Sequence, residues 1–462
     1  MSTIERPRLR RFLAAALSTA LVATGAVALT ATPAAAAYPE TVNPFAIAGG
    51  FTIYAREDAL LQNQETEGSI AVGGTATVQG SSGQYTIIHV SAGTGAYTLP
   101  TVDKDPTRFL VGRYSTSSTG ILAITSAGTT DPKLLGDLKM VQRDGPWQAF
   151  QRSDWLRLNL DPTSPDLTPL IDATHQRYPQ NAEPPNGSAN ADGADSIYTL
   201  DTSADAVSTY VEANRQATWE QAKMCLGDVA DPTAGIGYRV GVADDEGDRV
   251  VLEPLSPDMP NVVDYADIAG AALIQFSEGP TPGAANPLII RVPAGTTDVI
   301  GARADPQGMY APYMLWDLSQ LTGEVTVTAA QARMDGSIYA PDADVTVNAA
   351  PLDGQVIGHD VTIEGGEVHS YLFSSEVPCT PDSGTFAVRK ELSGIEAGDL
   401  PAGTTFTVNY TATEPDGTVV PGTLEVPADG APSTPACSSH STRWSRSRRS
   451  PPRACPGGSG DR

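Results

Sequence analysis

Cysteine is scarce in this chain. There are four in 462 residues, with no Cys-x-x-Cys pair and no Cys/His cluster, so the ligand spacing of a structural zinc site is missing. Positive charge is also short: 29 Lys and Arg face 54 Asp and Glu, a net charge of −25. Such a surface repels nucleic acid and anionic lipid and suits a well-solvated extracellular protein or a basic or neutral partner. Aromatic residues make up 6% and charged residues 18%, against 44 Gly and 37 Pro, a balance that favours a turn-rich β protein over a helical one. Beyond the N-terminus no apolar run is long enough to span a bilayer. No nucleophile elbow or Ser/His/Asp motif is present to support a hydrolase.

The N-terminus departs from this pattern. Arg6, Arg8, Arg10 and Arg11 precede an apolar, Ala-rich run over 12–29, and Ala34 to Ala37 supply small residues for cleavage before Tyr38. The arrangement is that of a secretory signal peptide over 1–37, with no membrane span after its removal. Export brings the chain into a compartment where disulfides form. Cys225 and Cys379 are the pair within the well-patterned body, and their expected disulfide would tie a central helix to the end of the β region; Cys437 and Cys455 lie beyond it.

What organises the body is the stretch 336–373 together with the strand-like blocks before it. Glu324-Val325-Thr326-Val327, Asp344-Val345-Thr346-Val347 and Asp360-Val361-Thr362-Ile363 each read acid, apolar, Thr, apolar. In a strand the apolar residues face one way and the acid and Thr the other. The blocks start 20 and 16 residues apart, close to one turn of a three-sided coil, which predicts a β-solenoid; an antiparallel sandwich gives the same spacing. Gly68-Ser69-Ile70 repeats the opening of Gly336-Ser337-Ile338, so the signature stands at both ends of the region. Phe45 to Ala48 and Phe51 to Tyr54 read as strands around Gly49 and Gly50, and Trp155 to Leu160 alternates as a half-buried strand.

Over 201–226 the apolar period changes to a helical one, with Thr202 or Ser203 as cap and Gly227 just past the end, which predicts one long helix flanking the β domain. Strands return over 236–300, with an acidic turn at Asp244 to Asp248. Over 384–427 three β runs predict a truncated immunoglobulin-like sandwich, about half of what that fold needs. The last 26 residues hold six Arg and one Asp and lose all apolar periodicity. They read as a basic disordered tail or as out-of-frame translation, and the abrupt change of composition within a domain favours the second. The expected boundaries are thus 1–37, 38–378, 379–436 and 437–462.

Several constellations bear on function. Glu324, Asp344 and Asp360 would stack on successive coils and repel unless neighbouring donors or a cation intervened, which makes them calcium candidates. Thr326, Thr346 and Thr362 would form an outward ladder of the kind ice-binding solenoids use, although Thr also simply suits strands. His359, His369, Glu364 and Glu367 sit on turns, and structural roles account for them. A solenoid glycan-active enzyme needs clustered acids with a base on one face, and over 320–373 the base is Arg333 alone.

Asn43 to Ile53, Glu67 to Gly74, Gly336 to Ala343 and Leu352 to Phe373 together resemble the choice-of-anchor A domain of bacterial surface proteins, over roughly residues 40–375. The resemblance implies an exported protein, secreted or, in anchored relatives, at the cell surface. It implies an adhesive or structural role without enzyme chemistry or cofactor, and an extracellular glycan or a matrix or envelope protein as partner. The segment from Gly384 resembles the collagen-adhesin B-type stalk repeat. In such a repeat a first-strand Lys, here Lys390, forms an isopeptide bond with a late-strand Asn, and the late strands are missing from this sequence.

Overall fold

The computed structural model describes residues 41–174 apart from several short stretches, 216–380, and 400–428 apart from 402 and 414–418. The signal-peptide region, the tail over 437–462, Lys390 and the first expected sandwich strand lie outside the described residues. Two compact units are present, Tyr38–Thr380 on one hand and Met1–Ala37 with Pro381–Arg462 on the other.

The chain is mainly β. Within Tyr38–Thr380 most of it winds in coils that place strands in three ladders, and neighbouring coils pair mostly in parallel; Asn261–Asp264 is followed by the short helix Tyr265–Ile268 in place of a second-ladder strand, and Trp155–Asn159 pairs antiparallel with both Gln148–Arg152 and Leu170–Thr174. The coil nearest the organising stretch shows the pattern: Met314–Asp317, then Gly323–Ala329, then Met334–Asp335. The next coil contributes Ser337–Ala340, Ala343–Asn348 and Leu352–Asp353, and the one after it Val356–Gly358, Val361–Ile363 and Glu367–His369. The registers are those of the sequence blocks. Val325 lies opposite Val345, which lies opposite Val361, and Thr326, Thr346 and Thr362 fall in one row. The valines point into the core because a period of two sends every second side chain inward, and there they are buried beside Val327, Val347 and Ile363.

The coils do not stack in chain order. The coil after 356–369 in space is the first of the domain: Ile53–Ala55 pairs with Val356–Gly358, Ala59–Leu61 with Val361–Ile363, and Glu65–Glu67 with Glu367–His369. Ile70–Val78, Asp105–Tyr114 and Asp137–Arg143 continue outward from it. The antiparallel pair of Thr41–Val42 with Val377–Pro378 closes the unit where its ends meet. Gly68 and Gly336 turn the chain into the first ladder at φ +95° and +103°, a region that suits glycine; a Cβ at Gly68 would also fall 2.2 Å from Thr52 Oγ1.

Two local expectations are corrected. Residues 45–48 do not form a strand: Ala46–Ala48 is a single 3-10 turn, ended by Gly49 in the left-handed region at φ +58°. Asn43 Oδ1 accepts the N–H of Phe45 and its side-chain amide donates to the carbonyl of Phe373, so local polar bonding outcompetes strand pairing here. Of the helix expected over 201–226, residues 201–215 lie outside the described residues; the described helix is Gln216–Ala230, and Gly227 sits inside it, not past its end. Val229 and Ala230, past the glycine, are buried, so tertiary packing carries the helix beyond its expected stop.

The helix lies across the outer face of the first ladder. Trp219, Ala222, Cys225, Leu226 and Val229 pack with Tyr54, Ala71, Leu110, Tyr339 and Ile357. This cover buries both faces of the ladder and explains its near-continuous apolar strands. Cys225 and Cys379 are joined, 154 positions apart, and Lys223 reaches Asp342 at 2.5 Å. In the second unit the described residues form one antiparallel hairpin, Thr405–Thr413 with Val419–Pro427, in which Thr405 and Thr407 hydroxyls donate to Glu425.

Candidate binding face

The helix leaves the second ladder uncovered. The ladder's strands are Asp298–Gly301, Gly323–Ala329, Ala343–Asn348, Val361–Ile363, Ala59–Leu61 and the second half of Ile70–Val78, which pairs onward with Arg113 and Tyr114. Its outward side carries three rows. The central row is Asp298, Thr326, Thr346, Thr362, Leu60 and Thr77, in that spatial order. Asp298 and Thr326 are exposed, and the other four are half-buried. Parallel pairing sets the hydroxyls about 4.8 Å apart. Leu60, from the first coil of the domain, interrupts the hydroxyls.

Acids flank this row on one side. Glu324 lies opposite Asp344, but Asp344 and Asp360 are drawn together with His359 rather than with Glu324. The Nδ1 of His359 stands 2.8 Å from Asp344 and 3.9 Å from Asp360. Asp360 Oδ1 accepts the backbone N–H of Asp58 at 2.8 Å, and Asp58 Oδ1 accepts that of Thr75 at 2.6 Å. The column is therefore held by donors from the neighbouring coils and one imidazole. Asp344, His359 and Asp360 converge within 4.8 Å, a mixed nitrogen and oxygen set that suits a transition ion better than calcium, which prefers oxygen alone. On the other side of the Thr row, Gln62 donates to Gln79 at 3.1 Å.

His369 has a different place from His359. It lies on the third ladder, where Asp335 pairs with Asp353 and Asp353 with His369 on successive rungs. His369 Nδ1 is 2.8 Å from Asp353 and its Nε2 is 3.0 Å from Glu367. Arg333 bridges Asp335, at 3.0 Å from its Nε, and Asp353. Asp335 and Asp353 are fully buried, and Asp335 also accepts the N–H groups of Ala304 and Gly308. This interior ion ladder answers the want of a base around Arg333: the one Arg of that stretch is spent holding two buried acids. Nearby, burial first and then the Glu367 and Glu67 carboxylates push Glu65 up from its usual range, against a smaller opposing pull from His369. Sequence reasoning missed Asp335 and Asp353 because each sits in a two-residue strand with no periodic mark.

Among the described residues no helix is long and apolar enough to cross a membrane. The Asp244 to Asp248 segment is the exposed end of a hairpin between Val242–Asp245 and Arg249–Leu252, where Arg249 pairs with Asp244 and Glu246.

A family model described as "Putative Ice-binding-like adhesive domain" matches residues 44–370. No curated protein and no solved structure matches the chain. The span of the match runs from just before the 3-10 turn that opens the first coil to Glu367–His369, the last third-ladder strand in chain order, and so covers the whole set of stacked coils.

Proposed function

The chain belongs to the ice-binding-like adhesive domain family, and from that premise we propose that it is a non-catalytic adhesin, secreted or held at the cell surface, that binds an extracellular glycan or a matrix or envelope protein through the outward face of its second ladder. The observation that carries this reading is the row Thr326, Thr346, Thr362 and Thr77, presented at coil spacing on the uncovered ladder between acid and amide rows. Hydroxyls, carboxylates and amides repeated in register give a polar surface that meets a repeating ligand at several points at once, so weak contacts add. The kinship to choice-of-anchor A proteins, the signal peptide and the stalk-like second unit belong to the same proposal. The test is a glycan and matrix-protein array with the purified chain and with Thr346→Val and Thr362→Val. Binding that weakens in both variants supports the reading, and a chain that binds nothing on the array overturns it in favour of a purely structural role.

Ice binding is the second reading, and the same Thr row favours it. Against it stand Leu60, which breaks the run of hydroxyls, and the charges of Asp298 and of the column beside the row, which hold water tightly. Thermal hysteresis in the purified chain, lost in Thr346→Val, would select this reading over the first.

A further inference from the structure

Away from the Thr row, the coils that follow the helix carry a separate four-stranded sheet, in which Arg249–Leu252, Leu273–Phe276 and Arg303–Ala304 pair in parallel register. On its outer side lies a cleft of about 390 Å³, lined by Arg249, Gln275, Phe276, Thr281, Asp305 and Tyr310 among others. Nothing in the sequence reading pointed here, because the residues come from three separate coils.

The polar side of the cleft is a line of planar groups. Arg249 Nη1 donates to Gln275 Oε1 at 2.7 Å, and Gln275 Nε2 donates to Asp305 Oδ2 at 3.1 Å. Arg249 is itself held by Glu246, at 3.0 Å from its Nε, and by Asp244 at 3.1 Å. The Gln275 amide is thus fixed in orientation from both ends. By its donor and acceptor inventory it keeps one N–H and one lone pair, and Asp305 keeps further lone pairs. The apolar side is Phe276 against Tyr310, with ring centroids 5.0 Å apart and planes at 83°. Both rings rest on the core, so they form a fixed wall.

We propose that this cleft binds a single neutral hexopyranose unit, such as the end of a glycan chain. Vicinal hydroxyls each donate and accept, which matches the alternating groups of Gln275 and Asp305, while the C–H face of a pyranose matches an aromatic wall. The volume lies at the low end of small-ligand sites, enough for one or two sugar rings and not for a polymer in the groove. Arg249 already faces two carboxylates, and Asp305 adds a third, so the cleft is negative overall and rejects uronic or sulfated sugars. The inference rests on the adhesive reading for its purpose and supplies that reading with a ligand class, at a site separate from the Thr row.

The experiment is ligand-detected NMR of the full chain with methyl glycosides of glucose, galactose, mannose and N-acetylglucosamine, and with glucuronic acid as the charged comparison. The expected result is saturable binding of at least one neutral glycoside, weak as single-sugar sites are, with none for glucuronic acid. Gln275→Met and Asp305→Ala each lower that affinity at least about tenfold while the melting temperature holds, since a site built to hydrogen-bond hydroxyls discriminates through those bonds. If either variant fails to fold, the other carries the comparison. No saturable binding of any neutral glycoside, preference for glucuronic acid, or binding indifferent to the folded variants overturns the inference. Array binding that depends on the Thr row, with no sugar in the cleft, leaves the adhesive reading standing and removes this one.

Discussion

The side chain of Gln355 donates to the backbone carbonyl of Phe51 at 2.8 Å, across 304 positions of sequence, and both residues are buried. The same amide accepts the N–H of Phe373 at 2.8 Å. Gln355 thus joins the first coil of the domain to the last, at the seam where the chain closes on itself.

Replacing it tests that closure. Gln355→Leu fills a similar volume but removes two buried hydrogen bonds, to the carbonyl of Phe51 and the N–H of Phe373. The expected loss is about 2–4 kcal/mol for the two bonds, read as a lower urea midpoint with an unchanged slope.

The Cys225–Cys379 link holds the helix to the strand that closes the unit. In the reduced chain, or in a Cys225→Ser/Cys379→Ser double variant, the unfolded state regains the freedom of a 154-residue loop. A loss of about 3–5 kcal/mol is expected in urea unfolding with and without reductant.

Glu65 sets a pH dependence at the same seam. Burial and the neighbouring Glu367 and Glu67 raise its folded pKa above the usual value, so the folded state binds this proton more tightly than the unfolded chain. Its contribution is fully present below the usual Glu range and is lost as pH rises through the raised folded value. Glu65→Gln is expected to flatten the stability profile across that window without lowering stability at pH 7, and a pH series of urea midpoints checks it.

Calcium is expected to leave the melting temperature unchanged. Asp360 and Asp58 already accept backbone N–H groups, and His359 stands between Asp344 and Asp360. A calorimetric titration with calcium and a melt in its presence test this, and a clear upward shift would restore the column to the role of a cation site.

Thr346→Val and Thr362→Val keep a β-branched residue on an outward-facing strand position. Each is expected to change stability by less than about 0.5 kcal/mol, so that any loss of array binding reports on the face and not on folding.

Much of the second ladder was legible in the sequence. The alternation of Val325, Val327, Val345, Val347, Val361 and Ile363 fixed which side chains point inward and excluded a one-residue slip, and pairing block to block puts Thr326, Thr346 and Thr362 in one row. The helix was legible in kind but not in extent, since its last residues follow from what Val229 and Ala230 bury. The interior ions were not legible: Asp335, Asp353 and His369 look like turn residues until Arg333 folds over them.

By itself, then, the sequence determined the content of the coils around 53–78 and 323–369, because a period of two and a glycine at the turn, as at Gly68 and Gly336, are local properties carried within a few residues. Tertiary structure decided the order of the coils. Parallel pairing takes any strand of matching pattern, and nothing in residues 53–67 states that their neighbour is 356–369 and not a coil closer in the chain. That choice is made where Gln355 meets Phe51 and where Thr41–Val42 meets Val377–Pro378, contacts that exist only once the two ends have come together.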